Sequence, residues 1–160
     1  MVKNATTYPD FTSDLKINNL TYKKDTVGNL LVKVNNQTAN AFAADIALSG
    51  NKNDVKLNGM YYTGEGKMDF KLNINSLNLA SIKTFTSGEI EDMDGIIKGN
   101  IAIAGTVSQP SVNGNINFEN AYIIPAVTGE KLTLSHQTIN VDSKGIHFDN
   151  FTLLDSANNK

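Results

Sequence analysis

At 160 residues, 40% of them hydrophobic, the chain has the size of one ordinary domain and enough apolar side chains to bury a core or line a groove, which excludes a disordered linker. Fourteen Lys and Arg against sixteen Asp and Glu give a formal net charge of -2, so neither a basic footprint for a phosphate backbone nor a polybasic run for anionic head groups is present, and nucleic acid is not an expected partner. Cysteine is absent, which excludes disulfides and thiolate metal sites and leaves the compartment open.

From Leu30 to Phe118 the dominant period is two, which places alternate side chains on opposite faces of extended strands. Leu30, Val32 and Val34 share a face, and a polar turn is expected over Asn35-Asn36-Gln37-Thr38. Phe42, Ala44, Ile46 and Leu48 follow, then a turn at Gly50-Asn51-Lys52-Asn53. Val55 and Leu57 lead through Gly59 to Tyr61, Gly64-Glu65-Gly66 turns the chain, and Met68, Phe70, Leu72 and Ile74 make the cleanest alternation. The pattern then breaks: Leu79, Ile82 and Phe85 recur at threes, which predicts a short amphipathic helix, followed by an acidic loop over Ser87 to Gly95.

Strands resume at Ile97, Ile101 and Ile103, at Val112, Ile116 and Phe118, at Leu132 and Leu134, at Ile139 and Val141, and at Ile146 and Phe148, about nine in all. Parity slips at Asn18-Asn19, near Asn120 and at Asn150 predict bulges that bend the sheet. Ile97 to Ile103 and Val112 to Phe118 repeat one pattern, with Gly99 and Gly114 on the apolar face, where a missing side chain permits tight curvature or close approach of a backbone or ligand. Asp155-Ser156-Ala157-Asn158-Asn159 reads as a hairpin turn without a return strand, so the chain is expected to be part of a longer array. The fold class is therefore all-β, an elongated, curved, mostly antiparallel sheet with one short helix.

Candidate chemistry is sparse. Glu89, Glu91, Asp92 and Asp94 fit no calcium-loop template and read as a solvated loop. His136 and His147 lie in different strands without a paired acidic motif and read as ordinary strand residues. Asn4, Asn19, Asn36 and Asn150 fall in Asn-x-Thr spacing by chance in a chain this rich in both residues. No nucleophile elbow and no phosphate loop occurs, so no enzyme and no cofactor are expected, and a carbohydrate-active enzyme using paired carboxylates is the weakest reading. No stretch approaches the ~18 apolar residues of a membrane-spanning helix, and Met1-Val2-Lys3-Asn4 opens no signal segment, so any export signal or anchor is expected outside these residues.

The order of elements resembles the TamB (translocation and assembly module) family, in the AsmA-like group, over nearly the whole chain. Gly28-Asn29-Leu30 opens a strand, Gly59-Met60-Tyr61 ends a later one, and the Leu77 to Phe85 helix follows. A strand then ends at Gly105-Thr106, Pro110-Ser111-Val112-Asn113-Gly114 starts the next, and Asp155-Ser156-Ala157-Asn158 closes the set; Gly-Thr-x-x-x-Pro-x-x-x-Gly is the most specific stretch. The resemblance implies a long periplasmic parent anchored in the inner membrane, shaped as a half-pipe of sheet with an apolar interior. It further implies phospholipid movement between membranes and outer-membrane protein assembly with a BamA-like barrel.

On that reading residues 1–160 are a fragment of a longer β-repeat domain, 1–86 forming a first strand set with the helix and 87–160 a second. The face carrying Val32, Phe42, Ile46, Leu57, Met68, Phe70, Leu72, Ile101, Ile103, Ile116 and Phe118 is expected to line a groove for phospholipid acyl chains. Periodicity alone equally allows a closed core, so a secreted β-sandwich binding or adhesin-type module stays open as the alternative.

Overall fold

The computed structural model describes residues 2–3, 10–134, 136–155 and 157. Among these residues eleven strands, which hold 70% of them, make one antiparallel sheet that does not close into a barrel. They are β1 (Val2–Lys3), β2 (Asp10–Tyr22), β3 (Asp25–Thr38), β4 (Ala41–Gly50), β5 (Asn53–Tyr62), β6 (Lys67–Asn78), β7 (Ile90–Thr106), β8 (Pro110–Pro125), β9 (Leu132–Thr133), β10 (Thr138–Asp142) and β11 (Gly145–His147). Helix α1 (Leu79–Ile82) and a 3-10 turn (Lys83–Thr86) interrupt them once; of the i+3 steps that stood out in the sequence, Leu79 to Ile82 spans α1 and Ile82 to Phe85 runs into the tighter turn. From β1 to β8 every strand pairs with its neighbour in sequence; β9 and β10 both pair with β8, and β11 with β10.

Several sequence expectations are corrected. Among the described residues the strands number eleven, not about nine, and the longest has 17 residues. The turn placed at 35–38 falls at Ala39–Asn40, because Asn35 and Asn36 pair with Ala43 and Phe42; polar residues end a strand where it runs out into water. The acidic stretch is strand from Ile90 onward, so only 87–89 are loop; Asp92 pairs with Ile124 and Asp94 with Tyr122. Leu134 and Phe148 lie outside strands, and β8 runs on to Pro125. Positions 156, 158 and 159 of the expected final turn lie outside the described residues.

Two of the three expected bulges are present. Register shifts fall between Ile17 and Leu20, around left-handed Asn19 (φ 53°), and opposite Asp94/Ile96, around left-handed Asn120 (φ 47°). Asn150 is also left-handed but sits in a turn outside any strand, so no bulge forms there. Further shifts at Asn36/Thr38, Asp54/Val55, Ile74/Leu77 and Ile90/Asp92 bend the strands along their length. Bending along the strands makes the axis of the resulting trough run across them. Eight inter-strand steps from β2 to β11, at about 4.8 Å each, give it a length of roughly 38 Å.

One rim of the trough is strapped. The segment 79–86 packs on β7, reaches back to β3, and stacks Phe85 on Tyr22 at the end of β2, with ring centroids 4.8 Å apart. Four helical residues are too few to be stable alone, so tertiary bonds hold them. Asn53, 4% exposed, is the hub: its side-chain Nδ2 donates to the Val27 carbonyl (2.7 Å) and to Ser81 Oγ (2.9 Å), and its Oδ1 accepts from the Asn78 N–H (2.7 Å). Ser81 Oγ in turn donates to the Asn78 carbonyl (2.7 Å), and Asn78 Oδ1 caps the helix at the Ala80 N–H. Asn53→Ala strands buried partners at about 1–3 kcal/mol. The expected outcome is faster amide exchange at 78–86 than in β4 and β5; uniform protection in the variant would contradict the hub assignment.

Candidate functional site

Register carries one apolar face across the sheet. Val32 pairs with Ile46, Ile46 with Leu57, Leu57 with Leu72 and Leu72 with Ile101. A second row runs Phe42, Tyr61, Met68; a third runs Gly59, Phe70, Ile103; a fourth joins Gly99, Ile116 and Ile139; and Ile97 pairs with Phe118. All eleven residues singled out in the sequence therefore lie on the same face. Leu15, Leu30, Leu48, Val55, Ile74 and Val112 have the same parity and extend it; Leu15 went unnoticed because β2 carries charges at Asp14 and Lys16 and breaks parity at Asn19.

All eleven are half-buried, none fully covered and none fully exposed. Sandwich packing buries the inner residues of both sheets, whereas a trough shields each side chain only by its neighbours in the same sheet. Apart from the small Ala41 at the other rim, the described apolar residues that are fully buried lie toward the strapped end, where Leu79, Met93, Ala121 and Leu134 form a small core joined by Ile82, Ile97, Ile123 and Phe151. Phe118 belongs to both regions, meeting Phe151 edge to face at 6.5 Å. The apolar surface thus runs from this core outward over the sheet.

The opposite face is polar. Asp14 pairs with Lys33 and Lys33 with Asp45, while Asn73, Asn100, Asn115 and Asn140 stand in one row across four strands. Along β8, Asn117 Nδ2 donates to Asn115 Oδ1 of that row at 3.2 Å. Alternating signs and amides suit a solvated surface and resist face-to-face association.

Ionisable groups lie outside the trough wall. His147 Nε2 sits 2.9 Å from Asp142 Oδ1 across the β10–β11 hairpin; that bond and the carboxylate charge hold the imidazole above its ordinary value and the carboxyl below its own. His136 is an exposed turn residue, not a strand residue, and its N–H donates to the Phe118 carbonyl. In the acidic stretch Tyr122 donates its hydroxyl to Asp92 (2.8 Å), which raises the phenol, and Lys131 lies 3.9 Å from the Tyr122 ring centroid. Among the described residues no three His, Asp or Glu side chains gather closely enough to share a metal ion, and no helix is long and apolar enough to cross a membrane.

A family model described as the TamB C-terminal domain matches residues 46–156, well over half of the chain. No curated protein and no solved structure matches it.

Proposed function

Because the chain belongs to the TamB family of envelope transport and assembly proteins, we propose that its apolar face is a lipid-carrying trough within a periplasmic scaffold. The parent protein, anchored in the inner membrane, bridges to the outer membrane, moves phospholipid between the two and serves outer-membrane protein assembly with a BamA-like barrel. Residues 1–160 act as one stretch of its longer β-repeat domain, and the work is carriage, not catalysis.

The observation that carries this reading is the run of half-buried apolar side chains over successive strands with no second sheet upon them among the described residues. An acyl chain placed there leaves water at about 25 cal/mol per Å² of apolar surface covered. That attraction is non-directional, so a chain slides from row to row without a deep well at any one residue. The secreted sandwich module would need a facing sheet to cover the same side chains.

Photocrosslinking tests it directly. With a photoreactive residue at 70 or 101, on the apolar face, or at 69 or 71, on the polar one, phospholipid adducts are expected from the first pair and not from the second. Equal labelling of both faces, or of neither, would remove the trough.

A further inference from the structure

The two rims of the trough are chemically unlike. On the rim opposite the strap the connections are Ala39–Asn40, 63–66, Val107 to Gln109 and Ser143–Lys144, and the acidic side chains there, Glu65 and Asp142, are paired with Lys67 and His147. The strapped rim gathers three cations that are distant in sequence: Lys23 and Lys24 in the β2–β3 turn, and Lys52 in the β4–β5 turn. The Asn51 side-chain Nδ2 donates to the Thr26 carbonyl and ties the two turns together. All three lysines are exposed and none forms an ion pair among the described residues. Their acidic neighbours are Asp25 and Asp54, two carboxylates against three ammonium groups, so the positive charge there is in excess by one.

Between these turns and α1 lies an open depression of about 260 Å³, lined by Lys24, Asp25, Thr26, Asn51 and Ser81 among others. Its floor is the Asn53–Ser81–Asn78 network, which fixes it rigidly. Beside it stands the exposed Tyr22–Phe85 stack, with Lys23 Nζ 5.8 Å from the Tyr22 ring centroid. Unpaired ammonium groups, amide and hydroxyl groups and an aromatic pair thus meet where the apolar face reaches water. A lipid whose chains lie in the trough must leave its head group at a rim; this rim groups three unpaired cations, whereas among the described residues the turns of the other offer Lys144 alone, beside Asp142.

We propose that the strapped rim recognises the phosphate of an anionic phospholipid head group and so selects which lipids the trough holds. No run of basic residues announces it in the sequence; the antiparallel register brings Lys52 to Lys23 and Lys24. The inference rests on the trough reading, and one experiment separates the two. The delipidated chain is offered phosphatidylglycerol and phosphatidylcholine with identical acyl chains, and bound lipid is counted by native mass spectrometry. Phosphatidylglycerol is expected to be favoured about tenfold, the sum of three weak exposed charge contacts. Lys23→Gln, Lys24→Gln and Lys52→Gln together should abolish the preference while phosphatidylcholine still binds. The same three changes at Lys33, Lys56 and Lys71 on the polar face should leave it intact. Equal binding of both lipids to the unaltered chain overturns the head-group rim and leaves the trough standing; binding of neither overturns both. If inorganic phosphate shifts the Nζ resonances of Lys23, Lys24 and Lys52 in the lipid-free chain while the lipids bind equally, the rim takes free phosphate and the head-group assignment fails.

Discussion

Gly114→Ala should lower stability by about 3 kcal/mol, or roughly 10 °C in Tm for a chain of this length. Gly114 pairs with Ile101 and Gly99 with Ile116, so each glycine of the internal repeat faces an isoleucine on the neighbouring strand. A Cβ at 114 would lie 2.8 Å from Ile101 Cα and closer still to the Asn100 carbonyl oxygen; one at 99 would lie 3.2 Å from Ile116 Cα and closer still to the Asn115 carbonyl oxygen. These are backbone atoms, which cannot swing aside as a side chain would, so β7 and β8 must part along the most extensively paired interface of the sheet. Glycine stands here because the next backbone occupies the space, one of the two reasons open at the level of sequence. Gly64, whose Cβ would meet nothing nearer than 4.0 Å, is the control, with an expected change within about 0.5 kcal/mol for Gly64→Ala. Thermal unfolding by circular dichroism measures both; equal midpoints for the two variants would contradict the close approach.

Phe70→Asp should abolish lipid retention and leave the sheet folded. Phe70 lies in the row with Gly59 and Ile103 and is half-buried, so in the empty trough an aspartate at 70 still reaches water. The cost to folding should then be about 1–2 kcal/mol, the range of ordinary substitutions. With an acyl chain alongside, the carboxylate loses that water without gaining a partner, which costs several kcal/mol and lowers occupancy at least a hundredfold. In a closed sandwich core the same change would unfold the domain. Native mass spectrometry for bound lipid, with circular dichroism on the same sample, separates the outcomes: an unfolded variant contradicts the open trough, and a folded variant that keeps its lipid contradicts the trough's role.

The middle of the sheet was legible because β3 to β6 and the adjoining halves of β7 and β8 keep strict parity: Val32, Ile46, Leu57, Leu72 and Ile101 are each one face of a clean alternation and meet in register. The ends were not. In β7 two bulges reset the parity within Ile90 to Ile96, and Glu91, Asp92 and Asp94 supply the charge pattern of a loop, so a strand read as its opposite. Asn53 read as part of a turn, and rightly so locally, since Asn51 and Lys52 beside it are both left-handed (φ 50° and 64°), the geometry of a tight two-residue hairpin. Its burial depends on Val27 and on Ser81, 26 and 28 positions away, and no local pattern carries such a contact. The rim lysines were hidden for the same reason.

The chain's pairing of each strand with its sequence neighbour has a kinetic consequence. Every hairpin from β2 to β8 except β6–β7, whose connection carries α1, closes a short loop, so contacts form with little loss of chain entropy and the sheet can zip from several starting points. A neighbour-only array of this kind has stability that adds up link by link, and its edges fray independently of its centre. The strap departs from that rule: by joining β7 to β3 and to Tyr22 of β2 through α1 and Phe85, it makes β3 to β7 one cooperative block and leaves β10 and β11 to open and close on their own.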